Sequence, residues 1–291
     1  YALISLAFDI NGLWFDVFLV PFLISAWYLY WHYLRSNCTK FLYWSGFILG
    51  FSFLIKQTSV VYVVIIVAYE LYRKTFKPAF FTTLIFTLPL LGVLVIFPFA
   101  EVWQWGIVFP LTAIGQMPGY IQYPTIRQLF IILIFLSPTL IWHNLRDSRI
   151  RLLGVWFIAS LLFLFPRFDY FHLQPLIPFF TLGSMLVFTK IKKPTFMYLS
   201  AIVYLVIVGS WSIKRLSISF NQPPRFFSSS TYVTGKYLDK LLPNDEPIYF
   251  YNTPAHFFVT AKLLPIKPWV DNFPWYMELV GMQENVIEAL E

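Results

Sequence analysis

The sequence predicts an all-α polytopic membrane bundle of about eight transmembrane helices, followed by the start of a small extracytoplasmic α/β domain. Three observations carry that expectation. Hydrophobic residues make up 58% of the 291 and charged residues 12%, with a mean hydropathy of +0.67. A soluble domain carries roughly 25% charged residues, so the balance is that of a chain bathed in lipid. Apolar runs broken by short polar junctions recur over residues 1–213, and Lys and Arg collect at every second junction.

The apolar runs fall at 12–31, 41–55, 58–72, 79–98, 128–143, 152–166, 173–189 and 194–213. Several are shorter than the ~20 residues of an upright span, which calls for tilt, snorkelling flanks or partial re-entry. Prolines at 21, 89, 98, 138, 175 and 178 imply kinks, tolerated where neighbouring helices satisfy the freed carbonyls. No heptad, helix-packing glycine pair or repeat of fixed period is read from the chain.

One set of junctions holds Arg35 and Lys40, then Arg73, Lys74 and Lys77, then Arg146, Arg149 and Arg151, then Lys190, Lys192 and Lys193. The alternate junctions before the C-terminal tail hold only Lys56, Arg127 and Arg167. The positive-inside rule assigns the first set to the cytoplasm, of a cell or inner membrane by this reading. The net charge of +7 is therefore a topology signal, and no nucleic-acid partner is expected. On the same assignment Asp9, Asp16, Lys56, Glu101, Arg127, Arg167, Asp169 and His172 face outward. Polar groups at the outer ends of nearly uncharged spans favour an extracytoplasmic site over a transport path.

The single cysteine, Cys38, excludes an internal disulfide and a multi-cysteine metal site. The chain starts at Tyr1 and ends at Glu291 inside helical patterns, and is read as a fragment of a longer protein, truncated at both ends. Residues 99–127 form a long outer connection. Its Trp- and Phe-rich first half suits an interfacial helix, and its Gly115–Tyr120 portion suits a turn-rich lid or an aromatic belt. A linker is expected over 214–230 and the truncated outer domain over 231–291. Within that domain, 232–242 reads as an amphipathic helix, 248–251 as a strand, and 255–260 as a further helix.

Three places combine residue types suited to chemistry. Asp16 opens an apolar helix, either as a carboxylate on the helix dipole or as one that orients an acceptor or holds a divalent cation. Lys56 interrupts two short spans, either snorkelling or presenting an ammonium to a phosphate at the membrane surface. Pro166-Arg167-Phe168-Asp169-Tyr170-Phe171-His172 packs a guanidinium, a carboxylate and an imidazole between apolar runs. Arg167 and Asp169 either pair with each other or bind substrate, Arg167 as a phosphate clamp. His172 either caps the next helix or handles a proton. Glu101 and Arg127 flank the long connection, as solvated charges or as further substrate contacts.

Three patterns in this order resemble the polytopic GT-C glycosyltransferases, in particular the bacterial relatives of the protein mannosyltransferases and the aminoarabinose-lipid A transferases. They are Trp14-Phe15-Asp16 opening an apolar helix, Gly46-x3-Gly50-x5-Lys56-Gln57-Thr58, and Arg167-Phe-Asp-Tyr-Phe-His172-x-x-Pro175-x-x-Pro178. The resemblance spans nearly the whole chain. It implies transfer of a hexose or pentose from a polyprenyl-phosphate donor to a lipid, glycan or protein acceptor in the cell envelope, with membrane lipids as surroundings. It makes Asp16 and His172 the catalytic candidates, and Lys56, Arg167, Asp169, Glu101 and Arg127 the substrate-binding ones. A divalent cation is left open. The family's first external acidic motif would precede Tyr1, so the fragment alone is expected to be inactive. The competing expectation is an envelope polysaccharide polymerase or flippase-like protein.

Overall fold

A computed structural model describes residues 5, 15–116, 121–137, 139, 148–189, 194–220, 229–242, 247–250, 256–266 and 282–290. Among them the chain is overwhelmingly helical and divides into two compact units. The first comprises residues 1–102 and 122–216, the second 103–121 and 217–291.

The first unit is built on α1 (Phe15–Ser36), α2 (Thr39–Ile55), α3 (Val60–Tyr72) and α4 (Phe76–Ile96). It continues through the short α5 (Phe99–Trp103), α7 (Ile126–Leu136), α8 (Ser148–Ser160), α9 (Ile177–Phe188) and most of α10 (Pro194–Phe220). Each of the eight apolar runs holds a helix. By length and composition three stretches among the described residues are long and apolar enough to cross a membrane: Phe15–Ser36, Phe76–Ile96 and Ala201–Ile218. The other apolar helices among the described residues, such as Thr39–Ile55 and Ile177–Phe188, are shorter. About eight full spans is therefore more than these lengths establish. The physical reason is local: Lys56-Gln57 and the Leu161–Leu164 turn end their helices early, where the apolar composition runs on.

Helices α1, α2 and α4 pack in sequence, with α3 against α4 and α8 against α9. Between α2 and α4 the contact is made by Gly46 and Gly50, one turn apart. A Cβ on Gly46 would stand 3.0 Å from both the Thr82 methyl and the Thr82 carbonyl oxygen. One on Gly50 would overlap the Phe86 carbonyl and press on the Pro89 ring. The two glycines thus form a Gly-x3-Gly helix-packing pair, which corrects the expectation that the chain has none. Ser45 Oγ donates to the Ala26 carbonyl at 2.8 Å, joining α2 to α1.

The aromatic centre of the unit is Tyr62, stacked on Trp156 at 4.6 Å between ring centroids and flanked by Phe163 and Phe179. Its hydroxyl shares a 2.7 Å hydrogen bond with Ser160, so burial leaves it satisfied. Outward, α4 shows Phe80, Leu84, Leu88, Leu91 and Val95, a stripe at helical spacing. Such a stripe is costly in water and suits acyl chains. Helix α10 runs past Lys214 and Arg215 to Phe220, because no helix breaker occurs before Pro223.

The second unit contains a π-helical turn (Gln104–Val108), α6 (Phe109–Gln116), α11 (Ser229–Leu241), α12 (His256–Ala261) and α13 (Met282–Leu290). Two two-residue strands, β1 (Pro247–Ile248) and β2 (Leu264–Pro265), pair in parallel around α12. Phe258, Ala261 and Leu263 form its small core with Leu238, Leu242, Ile248 and Phe250. Helices α11 and α12 approach through Gly235, where a Cβ would lie 2.7 Å from Thr260 Oγ1. Of the expected strand at 248–251, Ile248 pairs with Pro265, Tyr249 and Phe250 are outside the pairing, and 251 lies outside the described residues. The first half of the long connection is helical, and residues 117–120 lie outside the described residues.

Candidate functional site

Three separate breaks in the helical pattern converge at one end of the first unit. Asp16 occupies the first turn of α1, where the exposed N–H groups favour a carboxylate. Lys56 ends α2 in an extended conformation, φ −154° and ψ 119°, with its N–H still bonded to Ser52 O at 2.9 Å. A 3-10 turn over Gln57–Ser59 then leads into α3. His172 sits in a second 3-10 turn, Tyr170–Leu173. That turn is capped by Asp169, whose side chain accepts from the Tyr170 N–H at 2.7 Å.

These three side chains, 40 and 116 positions apart in the chain, form a closed triangle. Lys56 Nζ donates to Asp16 Oδ1 at 2.6 Å, and His172 Nδ1 stands 3.0 Å from Asp16 Oδ2. Lys56 Nζ and His172 Nδ1 are 3.1 Å apart. The Asp16 side chain is 4% exposed, against 21% for Lys56 and 16% for His172. The carboxylate is thus the buried hub and the two nitrogen bases form the accessible rim. Lys56 Nζ also lies 5.3 Å from the centre of the Phe163 ring, which offers its π face to the charge. Burial lowers the Lys56 pKa below the usual lysine range, and the charge and hydrogen bond of Asp16 oppose that shift.

A single Nδ1 cannot donate to Asp16 and accept from Lys56 at once. A proton on Nδ1 gives a charge-assisted hydrogen bond to the carboxylate and leaves Nε2 as a free acceptor. The alternative tautomer sets the imidazole lone pair against Asp16 Oδ2. That tautomer would instead accept at Nδ1 from Lys56 and carry its proton on Nε2, whereas the first turns Nδ1–H toward both Asp16 and Lys56 and makes the Asp16–His172 pair an oriented base.

The other sequence candidates are distributed around this group. Arg167 lies on an extended segment paired with Gln122. Gln122 N donates to Pro166 O at 3.1 Å, and Phe168 N donates to Gln122 O at 2.8 Å. The Phe165–Pro166 bond is cis. Asp169 is occupied in capping. Glu101 in α5 and Arg127 in the first turn of α7 are exposed, and neither is brought to the triangle by a hydrogen bond or ion pair among the described residues. Arg127 does act electrostatically on Tyr170, as does Arg215. Asp9 and the Asn11–Trp14 stretch lie outside the described residues, as do Arg146, Lys190, Lys192 and Lys193.

Sequence reasoning missed three residues. Arg215 of α10 stacks over Trp211 and over Tyr170, which precedes His172 by two residues, 5.8 Å from each ring centre. Gln174 is fully buried and exchanges two hydrogen bonds with Ser5, at 2.8 and 3.1 Å. Glu70, also fully buried, sits within α3 toward the opposite end of the unit. Tyr33 Oη and Thr75 Oγ1 donate to its Oε2 at 2.7 and 2.6 Å. A lone acid inside the apolar run 58–72 was the available signal.

Among the described residues no three His, Cys, Asp or Glu side chains stand together in a way that could hold a metal ion. The triangle offers one carboxylate and one imidazole, and the position between them is filled by an ammonium. This donor set fits a lysine-held anion better than a divalent cation. No protein-family model, no curated protein and no solved structure matches the chain.

Proposed function

We propose that the protein is an integral membrane glycosyltransferase that moves a sugar from a polyprenyl-phosphate donor to an acceptor hydroxyl on the extracytoplasmic face. The Asp16–Lys56–His172 triangle carries this reading: an oriented imidazole and an ammonium share one buried carboxylate at the end away from Arg35 and Arg73. In this reading Asp16 holds the His172 Nδ1–H, and His172 Nε2 takes the proton of the acceptor hydroxyl. The acceptor oxygen bonds to the anomeric carbon as its bond to the phosphate oxygen breaks, and the electron pair leaves with the phosphate. Lys56 neutralises that departing charge, with Arg215, Arg127 and Arg167 as further cations on the same end. The shorter helices complete a bundle of about eight membrane-crossing or re-entrant segments, residues 231–291 belong to an extracytoplasmic domain, and the cations named supply the charge that the phosphate needs.

The test is release of polyprenyl phosphate from a labelled pool of polyprenyl-phosphate sugars in membranes from cells expressing the protein. His172→Ala and Asp16→Asn should each lower release about a hundredfold or more. Release that His172→Ala and Asp16→Asn leave unchanged sinks this assignment of the triangle and moves the polysaccharide polymerase or flippase-like alternative ahead.

A further inference from the structure

The opposite end of the first unit holds a cavity of about 510 Å³ that the triangle does not use. Three arginines line it, each from a different part of the bundle: Arg35 from the last turn of α1, Arg73 just beyond α3, and Arg151 from the first turn of α8. Tyr30, Trp31 and Tyr69 supply its aromatic wall. Arg35 stacks 5.8 Å from the Trp31 ring centre and Arg73 5.9 Å from that of Tyr69, so both guanidinium planes are held by aromatic faces.

The charges do not cancel. Glu70 faces Arg73, with Arg73 Nη1 3.6 Å from Glu70 Oε1, and Asn37 Oδ1 lies 3.5 Å from Arg73 Nη2. No acidic side chain pairs with Arg35 or Arg151 among the described residues. A second observation is independent of the arginines. Tyr30 is 1% exposed, lines this cavity, and its hydroxyl has no hydrogen-bond partner among the described residues. A buried hydroxyl without a partner is rare and invites an oxygen-bearing ligand.

We propose that this cavity binds a phosphate group, carried either by a membrane lipid or by a free phosphate-bearing molecule, through Arg35, Arg73, Arg151 and the Tyr30 hydroxyl. Guanidinium forks match phosphate oxygens in pairs, and several planar cations around one opening suit a dianion better than scattered surface charge does. A Trp and two Tyr beside them are the side chains found where headgroups meet acyl chains. Positive residues near a membrane surface serve topology anywhere on that surface. A walled cavity with an unpartnered hydroxyl is more than topology requires.

The experiment uses the full chain in zwitterionic detergent, titrated with dioctanoyl phosphatidic acid and, separately, with inorganic phosphate, and reads thermal stabilisation and retained lipid by native mass spectrometry. Saturable binding of phosphatidic acid, weakened at least tenfold by Arg151→Gln and by Arg35→Gln, supports a lipid phosphate site. Equal binding of inorganic phosphate, lost in the same variants, supports the same site with a soluble occupant. Lys77→Gln removes one positive charge near the same end without lining the cavity, and should leave binding unchanged. Binding that is absent, that is matched by dioctanoyl phosphatidylcholine, or that falls equally in Lys77→Gln overturns the proposal. Because none of these readouts involves sugar transfer, they stand or fall separately from the proposed activity.

Discussion

The Asp16 carboxylate is shared by two nitrogen bases and almost shut off from solvent, so the sign of each substitution follows from what it leaves behind. Lys56→Met leaves the carboxylate without its ammonium and should destabilise the protein by about 3 kcal/mol, the low end for breaking a buried pair, because Lys56 keeps some solvent contact. Adding Asp16→Asn to Lys56→Met should cost less than the two singles summed, and a double-mutant cycle on the thermal midpoint reads that difference. The lysine also has a pH signature. Its folded pKa lies below the ordinary 10.5, so the protonated folded form carries the burial cost, and that cost is relieved as pH rises toward the unfolded value. Stability of the wild type relative to Lys56→Met should therefore rise through the alkaline range; a fall or a flat difference counts against the burial argument. At the other end, Tyr33→Phe removes a hydrogen bond to the buried Glu70 carboxylate and should cost about 1.5–3 kcal/mol, measured in the same way.

Between elements, the packing of α2 on α4 depends on the absence of two side chains. Gly50→Ala places a methyl on the Phe86 carbonyl, which belongs to a helix backbone and cannot rotate away. Overpacking of this kind costs about 1–3 kcal/mol, and the upper part of that range is expected here. Gly92→Ala is the matched control in α4, since a Cβ there meets nothing within 4 Å. Relief of glycine's backbone freedom should stabilise it by about 0.5–1 kcal/mol. Opposite signs for two Gly→Ala changes, read by thermal unfolding in detergent, identify contact rather than helix propensity as the cause. The helices themselves were legible in the sequence as apolar runs. The shortness of several was not, because composition cannot distinguish an apolar residue in a helix from one in the extended or 3-10 segment that follows.

At the scale of the whole chain, α1 measures about 33 Å at 1.5 Å per residue, close to the hydrocarbon thickness it has to match. It carries Asp16 at one end and Arg35 at the other, so on the proposed reading the triangle and the arginine cavity stand at opposite faces of a bilayer. Cys38 offers a direct check, as it is the only cysteine and is exposed just beyond Arg35. In intact cells a membrane-impermeant maleimide should leave Cys38 unlabelled until the membrane is opened. A Gln57→Cys change in a Cys38→Ser background should label at once, since Gln57 is exposed beside Lys56. The reverse pattern would invert the proposed sidedness and place the triangle on the cytoplasmic face.

Consecutive residues are enough to set the local features: which segments become helices, where polar junctions interrupt them, and which junctions carry the positive charge. These follow from side-chain hydropathy and from charge, and each is written in a few consecutive residues. The same local pattern places Asp16, Lys56 and His172 at the ends of apolar runs, as three separate positions. It takes the packed fold to bring them together on one carboxylate, to set Asp169 to the turn beside them, and to give Glu70, Arg215 and the Gly46–Gly50 pair their partners. Those outcomes depend on how helices far apart in the chain are rotated and spaced against one another. That is set by the sum of many packing contacts, and no short stretch of sequence contains it.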